Sequence, residues 1–251
     1  MRWDGAVESE EQYRELARAE SERGELVLRE RRSDDGGPAV LELRANGVFV
    51  MDSVEVGSER ALARAALEAV AQPRTVVVAG LGLGFTMHEV LADSRVETCA
   101  VVEVEQALVD WMRDGTVAHG PALLADQRVT VVVADVAVAV AEARPASYDL
   151  VLIDVDNGPG YLVHDANAAL YDPPFLGGVR AMLRPGGAVA VWSAAEAPGL
   201  ERTLGEVFDS VRAVDHEVRL QTRDERYWLY LGYLDDGEDG GTDGDGGNGA
   251  G

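Results

Sequence analysis

Two kinds of hydrophobic pattern divide the chain. The first residues are mostly polar, and Ser9-Glu10-Glu11-Gln12 has the spacing of a helix capping box, so we predict a polar helix from there to about Arg23, ended by Gly24. Apolar and polar residues then alternate, which indicates three short strands of an antiparallel sheet at 25–30, 39–44 and 47–52. Asn46-Gly47 predicts a tight hairpin turn between the last two strands.

From Thr75 onward, short apolar runs alternate with amphipathic segments. Runs rich in Val, Ile and Leu are typical of strands buried on both faces of a parallel sheet. We predict strands at 75–79, 98–104, 128–133, 149–155 and 188–192, and helices at 85–92, 106–113, 136–143, 174–183 and 199–208. The last two apolar runs, 211–220 and 226–234, have no helix between them and should pair as an antiparallel hairpin at the sheet edge.

Three parts follow from these patterns. Residues 1–74 should hold the N-terminal helix, the small antiparallel sheet and a linking helix at 59–71 with Ser58 as its cap. Residues 75–234 should form an α/β domain with a doubly wound, mostly parallel, seven-stranded sheet. Residues 235–251 are rich in Gly and Asp without an apolar anchor, and we predict a disordered tail.

Charge narrows the classes of partner. The 251 residues carry a net charge of −23, and all 22 basic residues are arginine. Such a surface repels a phosphate backbone, so we expect a small or cationic ligand and no nucleic acid. We also expect no membrane span and no secretion signal. Cys99 is the only cysteine, which favours a reducing, cytoplasmic location, and a homodimer is one option for the assembly.

The residues that follow the predicted parallel strands carry the candidate chemistry, because ligands of open α/β sheets bind beyond the carboxyl ends of the strands. Gly80, Gly82 and Gly84 follow the first strand and allow the backbone to approach a ligand closely. A dinucleotide fingerprint needs a further glycine at position 85 or 87, where the chain has Phe85 and Met87. The turn therefore argues against NAD.

Acidic residues follow the next three strands. Glu103, which we favour over Glu105, is placed to accept hydrogen bonds from ribose hydroxyls. Asp135 either accepts a hydrogen bond from an adenine amino group or caps the following helix, and we hold the two hypotheses equal. Asp154 and Asp156 stand at the mouth of the cleft, where carboxylates can bind an amine and remove its proton.

This order of motifs, followed by L-R-P-G-G at 183–187, resembles the class I S-adenosylmethionine-dependent methyltransferase fold. The stretches V-F-V-M-D at 48–52 and Y-D-L-V-L-I-D at 148–154 narrow the resemblance to the spermidine synthase-like (polyamine aminopropyltransferase) family. The resemblance implies a transferase of polyamine biosynthesis that uses S-adenosylmethionine or its decarboxylated form as donor. It assigns the three glycines, Glu103 and Asp135 to the donor, and Asp154 to the role of general base.

Three segments depart from the family pattern. The G-G-G-D-G-G turn of spermidine synthases is G-L-G-L-G-F here, the D-x-x-D-P loop has Asn157 in the second acidic place with Asp156 beside it, and L-A-R at 62–64 replaces Y-x-E. We expect Asn157, Tyr161 and His164 to contact the acceptor, and we expect no metal because the histidines are scattered.

Two alternatives to aminopropyl or methyl transfer to a small amine stay open at this point. One is an S-adenosylmethionine-dependent methyltransferase that acts on a small molecule other than a polyamine. The other is a non-catalytic nucleotide-binding protein that has kept the fold.

Overall fold

A computed structural model describes residues 12–32, 37–54, 56–156, 158–220 and 223–237. Its strands are β1 (Gln12–Ser21), β2 (Gly24–Arg32), β3 (Val40–Ala45), β4 (Val48–Asp52), β5 (Thr75–Ala79), β6 (Thr98–Glu103), β7 (Val129–Val133), β8 (Tyr148–Ile153), β9 (Leu183–Ser193), β10 (Ser210–Leu220) and β11 (Arg223–Tyr233). Its α-helices are α1 (Gly57–Ala69), α2 (Phe85–Ala92), α3 (Gln106–Asp114), α4 (Gly120–Leu124), α5 (Val136–Glu142), α6 (Pro173–Met182) and α7 (Pro198–Val207), and a 3₁₀ helix covers Asp165–Tyr171.

The larger sheet has the strand order β10-β11-β9-β8-β5-β6-β7. Strands β5 to β9 are mutually parallel, and β11 runs antiparallel to both β9 and β10. This arrangement confirms the predicted seven-stranded α/β fold with an antiparallel hairpin at one edge. Strand β9 begins five residues before its predicted start, because Leu183 pairs with Tyr148 ahead of an irregularity in the ladder.

Alternate residues of the central strands bury their side chains on opposite faces of this sheet. Val76 and Val78 of β5 pack in one hydrophobic cluster with Leu62 of α1. Val77, between them, packs in a second cluster with Leu176 of α6. Both faces are therefore covered, which explains why these strands are almost entirely apolar. The packing also fixes the carboxyl ends of the parallel strands on one common edge.

The N-terminal helix predicted from Ser9 to Arg23 is wrong for the part of it that the structure describes. Residues Gln12–Ser21 form β1, the first strand of an antiparallel sheet in the order β1-β2-β3-β4. Arg18 pairs across the strands with Glu25, and Arg14 with Glu30. Pairing along the whole length of β2 supplies the backbone hydrogen bonds that a short polar helix would have had to make alone, and so overrides local propensity. Residues 1–11 lie outside the described part.

The remaining N-terminal predictions hold with one correction. Asn46 and Gly47 have φ angles of 52° and 75°, the left-handed geometry of the predicted hairpin turn between β3 and β4. The linking helix α1 begins at Gly57, two residues before its predicted start. Ser58 therefore lies inside the helix, and its hydroxyl donates to Glu59 at 2.7 Å instead of capping the helix.

Asp235, the first residue after the predicted domain boundary at 234, makes two hydrogen bonds to the α/β domain. The N–H of Asp235 donates to Asp209 Oδ2 at 2.9 Å, and the Asp235 carbonyl accepts from the Gly186 N–H at 3.1 Å. These contacts tie Asp235 to the start of β9 and to the loop before β10. Residues 238–251 lie outside the described part, so the predicted disorder there stays a prediction.

Two truncated chains should therefore differ in thermal stability. A chain cut after Gly237 should keep the melting temperature of the full chain, because the removed segment has no apolar residue other than Ala250 to bury. A chain cut after Leu234 should melt about 2–8 °C lower, since it loses two backbone hydrogen bonds. Calorimetric scans of the three chains test this, and equal melting temperatures would show that the Asp235 contacts contribute nothing.

Candidate functional site

A cleft lies between the carboxyl ends of β5, β6, β7 and β8 and the small N-terminal sheet. Turn residues after each parallel strand form its floor, while β2, β3, β4 and the start of α1 contribute its other wall. The site thus stands where the strand order reverses between β5 and β8, the position at which open α/β sheets bind ligands. Within the described part of the chain, no helix is long and apolar enough to span a bilayer.

The three glycines predicted to approach a ligand all have left-handed backbone geometry. Gly80, Gly82 and Gly84 have φ angles of 98°, 50° and 84°, which disfavour any side chain. A Cβ atom on Gly80 would lie 2.1 Å from the Asp154 carbonyl oxygen, and one on Gly82 would lie 2.7 Å from Met51 Sδ. Packing alone therefore requires glycine at positions 80 and 82, in addition to any need for space for a ligand. At Gly80 the turn packs directly against the loop after β8.

Glu103 is the last residue of β6, and its carboxylate is buried. Among the described residues, no cation forms an ion pair with it. Its side chain accepts hydrogen bonds from the N–H groups of Leu81 at 2.9 Å and Glu105 at 2.8 Å, one at each oxygen. Burial raises the pKa of this carboxyl, and the two N–H groups oppose that shift. Each oxygen keeps a lone pair, so Glu103 can accept two further hydrogen bonds from a ligand in the cleft.

Asp135 follows β7, where it caps a helix and lines the cleft. Its Oδ1 accepts from the Ala137 N–H at 2.8 Å, so the residue caps α5, and it also lines the cleft. Its Oδ2 accepts from Arg23 Nη2 at 2.9 Å. Arg23 lies in the turn between β1 and β2, where the sequence had predicted the end of a helix. The turn between β1 and β2 therefore contacts the edge of the cleft after β7 directly.

Asp154 follows β8 in the deepest part of the cleft. Thr86 Oγ1 donates to its Oδ2 at 2.5 Å, and within the described residues its Oδ1 accepts no hydrogen bond. Burial raises the pKa of the carboxyl to about 6, against the opposing hydrogen bond from Thr86. A carboxylate with one oxygen fixed and one open to a cleft has the geometry and the proton affinity of a general base at neutral pH.

The other residues predicted to contact the acceptor differ in whether they line the cleft. Asp156 and His164 line the cleft, whereas Tyr161 is 60% exposed and does not. Asn157 lies outside the described residues. Burial raises the pKa of Asp156, and hydrogen bonds from Asn167 and from the Val163 N–H oppose the shift.

Sequence reasoning missed four residues of this site: Arg23, Glu59, Thr86 and Asn167. Thr86 had a signal, because it stands in the first turn of α2 directly after the glycine turn. Arg23 and Glu59 reach the cleft from the N-terminal part of the chain, and Asn167 contacts Asp156 from the 3₁₀ helix after the β8 loop. No local pattern marks these three residues. Cys99, interpreted as a buried hydrophobe, is fully buried, and burial raises the pKa of its thiol to about 12.

The electrostatic character of the cleft favours a cationic ligand. Its described lining residues carry seven carboxylates against one arginine: Glu25, Glu59, Glu103, Glu105, Asp135, Asp154, Asp156 and Arg23. The arginine is itself bonded to one of the carboxylates. Glu25 is also paired, with Arg18. A positively charged ligand gains attraction from carboxylates such as Asp154 and Asp156, and an anionic one meets repulsion.

Comparisons with known proteins show the family of the chain. A model of the spermine/spermidine synthase domain matches residues 55–214, more than half of the chain. Polyamine aminopropyltransferase 2 of Pseudomonas aeruginosa is 33% identical over 153 residues, which cover 57% of this chain and 42% of that protein. Putrescine N-methyltransferase 3 of Nicotiana tabacum is 33% identical over 125 residues, 49% of this chain and 31% of that protein. The match spans less than half the length of either relative.

Solved structures share the fold at low sequence identity. A spermidine synthase in complex with the transition state analogue AdoDATO has a TM-score of 0.71 at 19% identity, over 88% of this chain and 73% of that one. Human methyltransferase-like protein 13 in complex with SAH has a TM-score of 0.54 at 18% identity, over 72% of this chain and 84% of that one. The fold is therefore of the methyltransferase type, and the domain match shows that the chain belongs to the spermine/spermidine synthase domain family.

Proposed function

We propose that this protein transfers an alkyl group from a sulfonium nucleoside, S-adenosylmethionine or its decarboxylated form, to a small amine. The observation that carries the proposal is that Asp154 and Glu103 line the same acidic cleft. Both the donor sulfonium and a protonated amine are cations, which suits the excess of carboxylates there. The names of the two relatives, an aminopropyltransferase and a putrescine methyltransferase, support the same reaction class.

The donor side of the cleft is assigned to the ends of β5, β6 and β7. In the glycine turn, the backbone of Gly80 and Gly82 lies close to the donor. The free lone pairs of Glu103 accept hydrogen bonds from the two ribose hydroxyls. Asp135 lies beyond them, where one carboxylate oxygen can accept the adenine amino group. These residues bind and orient the donor and take no part in moving protons.

Asp154 has the chemical role on the acceptor side. The amine nitrogen attacks the alkyl carbon in line with the sulfur: a carbon–nitrogen bond forms, and the carbon–sulfur bond breaks with its electron pair on sulfur. Because the sulfonium is already a good leaving group, the protein needs only to align the reactants and take one proton from the amine. Asp154 Oδ1 accepts that proton, while Thr86 holds Oδ2 in place.

One position favours methyl transfer over aminopropyl transfer. Leu83 occupies the place at which spermidine synthases carry an acidic residue in the glycine turn, and its side chain is fully buried. Its carbonyl oxygen accepts from His119 Nε2 at 2.6 Å, which fixes the turn. The cleft therefore offers no carboxylate from this position to the terminal amine of an aminopropyl donor. Methyl transfer to the amine is the second form of the proposal.

Titration calorimetry with both donors, followed by product analysis, tests these assignments. We expect one sulfonium donor to bind and to yield, with a panel of small amines, either methylthioadenosine from aminopropyl transfer or S-adenosylhomocysteine from methyl transfer. Donor binding without either product over amines and hydroxyl compounds would identify a non-catalytic nucleotide-binding protein. Tight NAD binding with neither sulfonium bound would overturn the proposal.

A further inference from the structure

The loop that follows β8 is held in place by the segment immediately after it. Tyr171 donates its hydroxyl to the Val155 carbonyl at 2.9 Å, from the end of the 3₁₀ helix. The Val163 N–H donates to Asp156 Oδ1 at 3.1 Å. Asn167 Nδ2 lies 3.0 Å from Asp156 Oδ1 and 2.9 Å from Oδ2. Four hydrogen-bond contacts therefore fix two consecutive residues at the mouth of the cleft.

Asp156 has an uncommon backbone geometry. Its φ angle is 58°, in the left-handed region that few residues other than glycine, asparagine and aspartate adopt. In the described residues, Asn46 and Ala146 also have positive φ, but only Asp156 of the three stands beside the carboxylate assigned as base. A conformation of this kind persists where surrounding contacts over-determine it, and here those contacts end on the Asp156 carboxylate.

The contacts orient the Asp156 carboxylate without pairing it with a cation. The Asn167 amide can give one N–H to each oxygen, and an ionised carboxylate has about four acceptor positions. Val163 and Asn167 together fill the two positions of Oδ1, and Asn167 fills one of Oδ2, so one acceptor position of Oδ2 stays available to a ligand in the cleft that Asp156 lines. Asparagine supplies donors without charge, so it orients the carboxylate but does not neutralise it as an arginine would.

We propose that Asn167 is a positioning residue that holds the Asp156 carboxylate beside Asp154 as the binding group for the cationic amine of the acceptor. The inference rests on the proposed function, which it extends by a residue and a substrate class: the acceptor binds as an ammonium ion at Asp156 and gives up its proton to Asp154. Asn167 acts through Asp156 and does not touch the acceptor. Its loss should therefore change acceptor binding and leave the donor site intact.

Steady-state kinetics of Asn167→Ala and Asn167→Asp test this assignment with putrescine as the amine. We expect Asn167→Ala to raise the KM for the amine about 10-fold to 100-fold, the range for a lost hydrogen bond to a charged group, and to leave kcat and donor affinity within a few-fold. Asn167→Asp should raise the KM further, because it places a second negative charge against Asp156. Asp165→Asn, on an exposed residue of the same 3₁₀ helix, is the matched control and should behave as wild type.

A double-variant cycle separates positioning from a general structural effect. In the Asp156→Asn background, Asn167→Ala should cause no further rise in KM, because the group it positions has lost its charge. An unchanged KM in Asn167→Ala, or an equal rise with and without Asp156, would overturn the proposal. Melting temperature and donor affinity, measured on each variant, show whether it is folded, and Asn167→Asp replaces Asn167→Ala if the latter is not.

The two proposals fail in different ways. Wild-type protein that gives no alkylated product with either donor refutes the proposed function, whatever Asn167 does. Calorimetric binding of putrescine that weakens in Asn167→Ala and Asn167→Asp would still support the positioning role in that case. Product formation by wild type together with unchanged amine binding in both variants refutes the positioning role alone.

Discussion

Replacing Asp154 by asparagine is expected to lower kcat about 10²-fold to 10⁴-fold, the usual range for loss of a general base, while donor affinity stays within a few-fold. The substitution keeps the shape of the side chain, and its oxygen can still accept the hydroxyl of Thr86. It removes the group that takes the amine proton. Single-turnover rates and calorimetric donor titration on the same preparation measure the two quantities separately.

The pH dependence of the same variant gives an independent check. Burial raises the pKa of Asp154 to about 6, so wild-type kcat/KM should rise with pH as this carboxyl loses its proton, and the variant should lack that limb. At higher pH the variant's deficit should shrink, because an amine with a pKa near about 10 then loses its proton without help.

Folding stability should respond in the opposite direction. A carboxyl with a raised pKa binds more protons in the folded than in the unfolded chain between its ordinary and its folded value. The stability that Asp154 contributes at low pH is therefore lost as the pH rises through about 4 to 6. Asp154→Asn should melt at a higher temperature than wild type above this window, with little difference below it.

Loss of donor binding in Asp154→Asn, with intact turnover at saturating donor, would contradict the role of Asp154 as base. It would make Asp154 a donor ligand and move the base to Asp156 or His164.

The α/β domain could be predicted closely because its signals are local. Continuous apolar runs identify strands buried on both faces, and the bounds of β5 and α2 agree with their predicted bounds. The absence of a helix between the last two apolar runs was enough to predict the edge hairpin. The failure at β1 has the opposite cause: its polar sequence is compatible with a helix, and its strand conformation depends on β2, which supplies the hydrogen bonds.

The residues of the candidate site differ in the same way: local signals identify some of them and not others. Residues that directly follow a parallel strand could be found from the sequence, because topology brings strand ends together whatever the packing details. Arg23 and Glu59 could not, since each reaches the cleft from the N-terminal part of the chain. Asn167 lies in the 3₁₀ helix that follows the β8 loop, and its contact with Asp156 depends on how that loop folds. Sequence could not separate the helix cap from the adenine contact at Asp135, because the two roles do not exclude each other. Capping α5 occupies one oxygen, and the other accepts from Arg23, which lines the cleft.

Glu103→Gln is expected to weaken donor binding by about 1.5–3 kcal/mol, roughly 10-fold to 150-fold in Kd, with a much smaller change in kcat at saturating donor. The carboxylate now accepts the Leu81 and Glu105 N–H groups and keeps lone pairs for two ribose hydroxyls. Because each oxygen of Glu103 accepts one backbone N–H, the amide nitrogen of glutamine must face one of these N–H groups, and only one acceptor oxygen is left for the ribose hydroxyls. Donor titration by calorimetry measures the loss, and thermal unfolding reports any cost to the fold separately.

Glu105→Gln is the matched control, because it makes the same chemical change two residues away. Glu105 also lines the cleft, but Ser21 occupies one of its oxygens at 3.2 Å and its side chain is less buried than that of Glu103, which is 7% exposed. Its contact with a donor would stay in water, where a charged hydrogen bond contributes less than it does in a buried site. We therefore expect a clearly smaller loss of donor affinity than in Glu103→Gln. A larger loss in Glu105→Gln would transfer the ribose contact to Glu105 and leave Glu103 as a buried group that only holds the glycine turn.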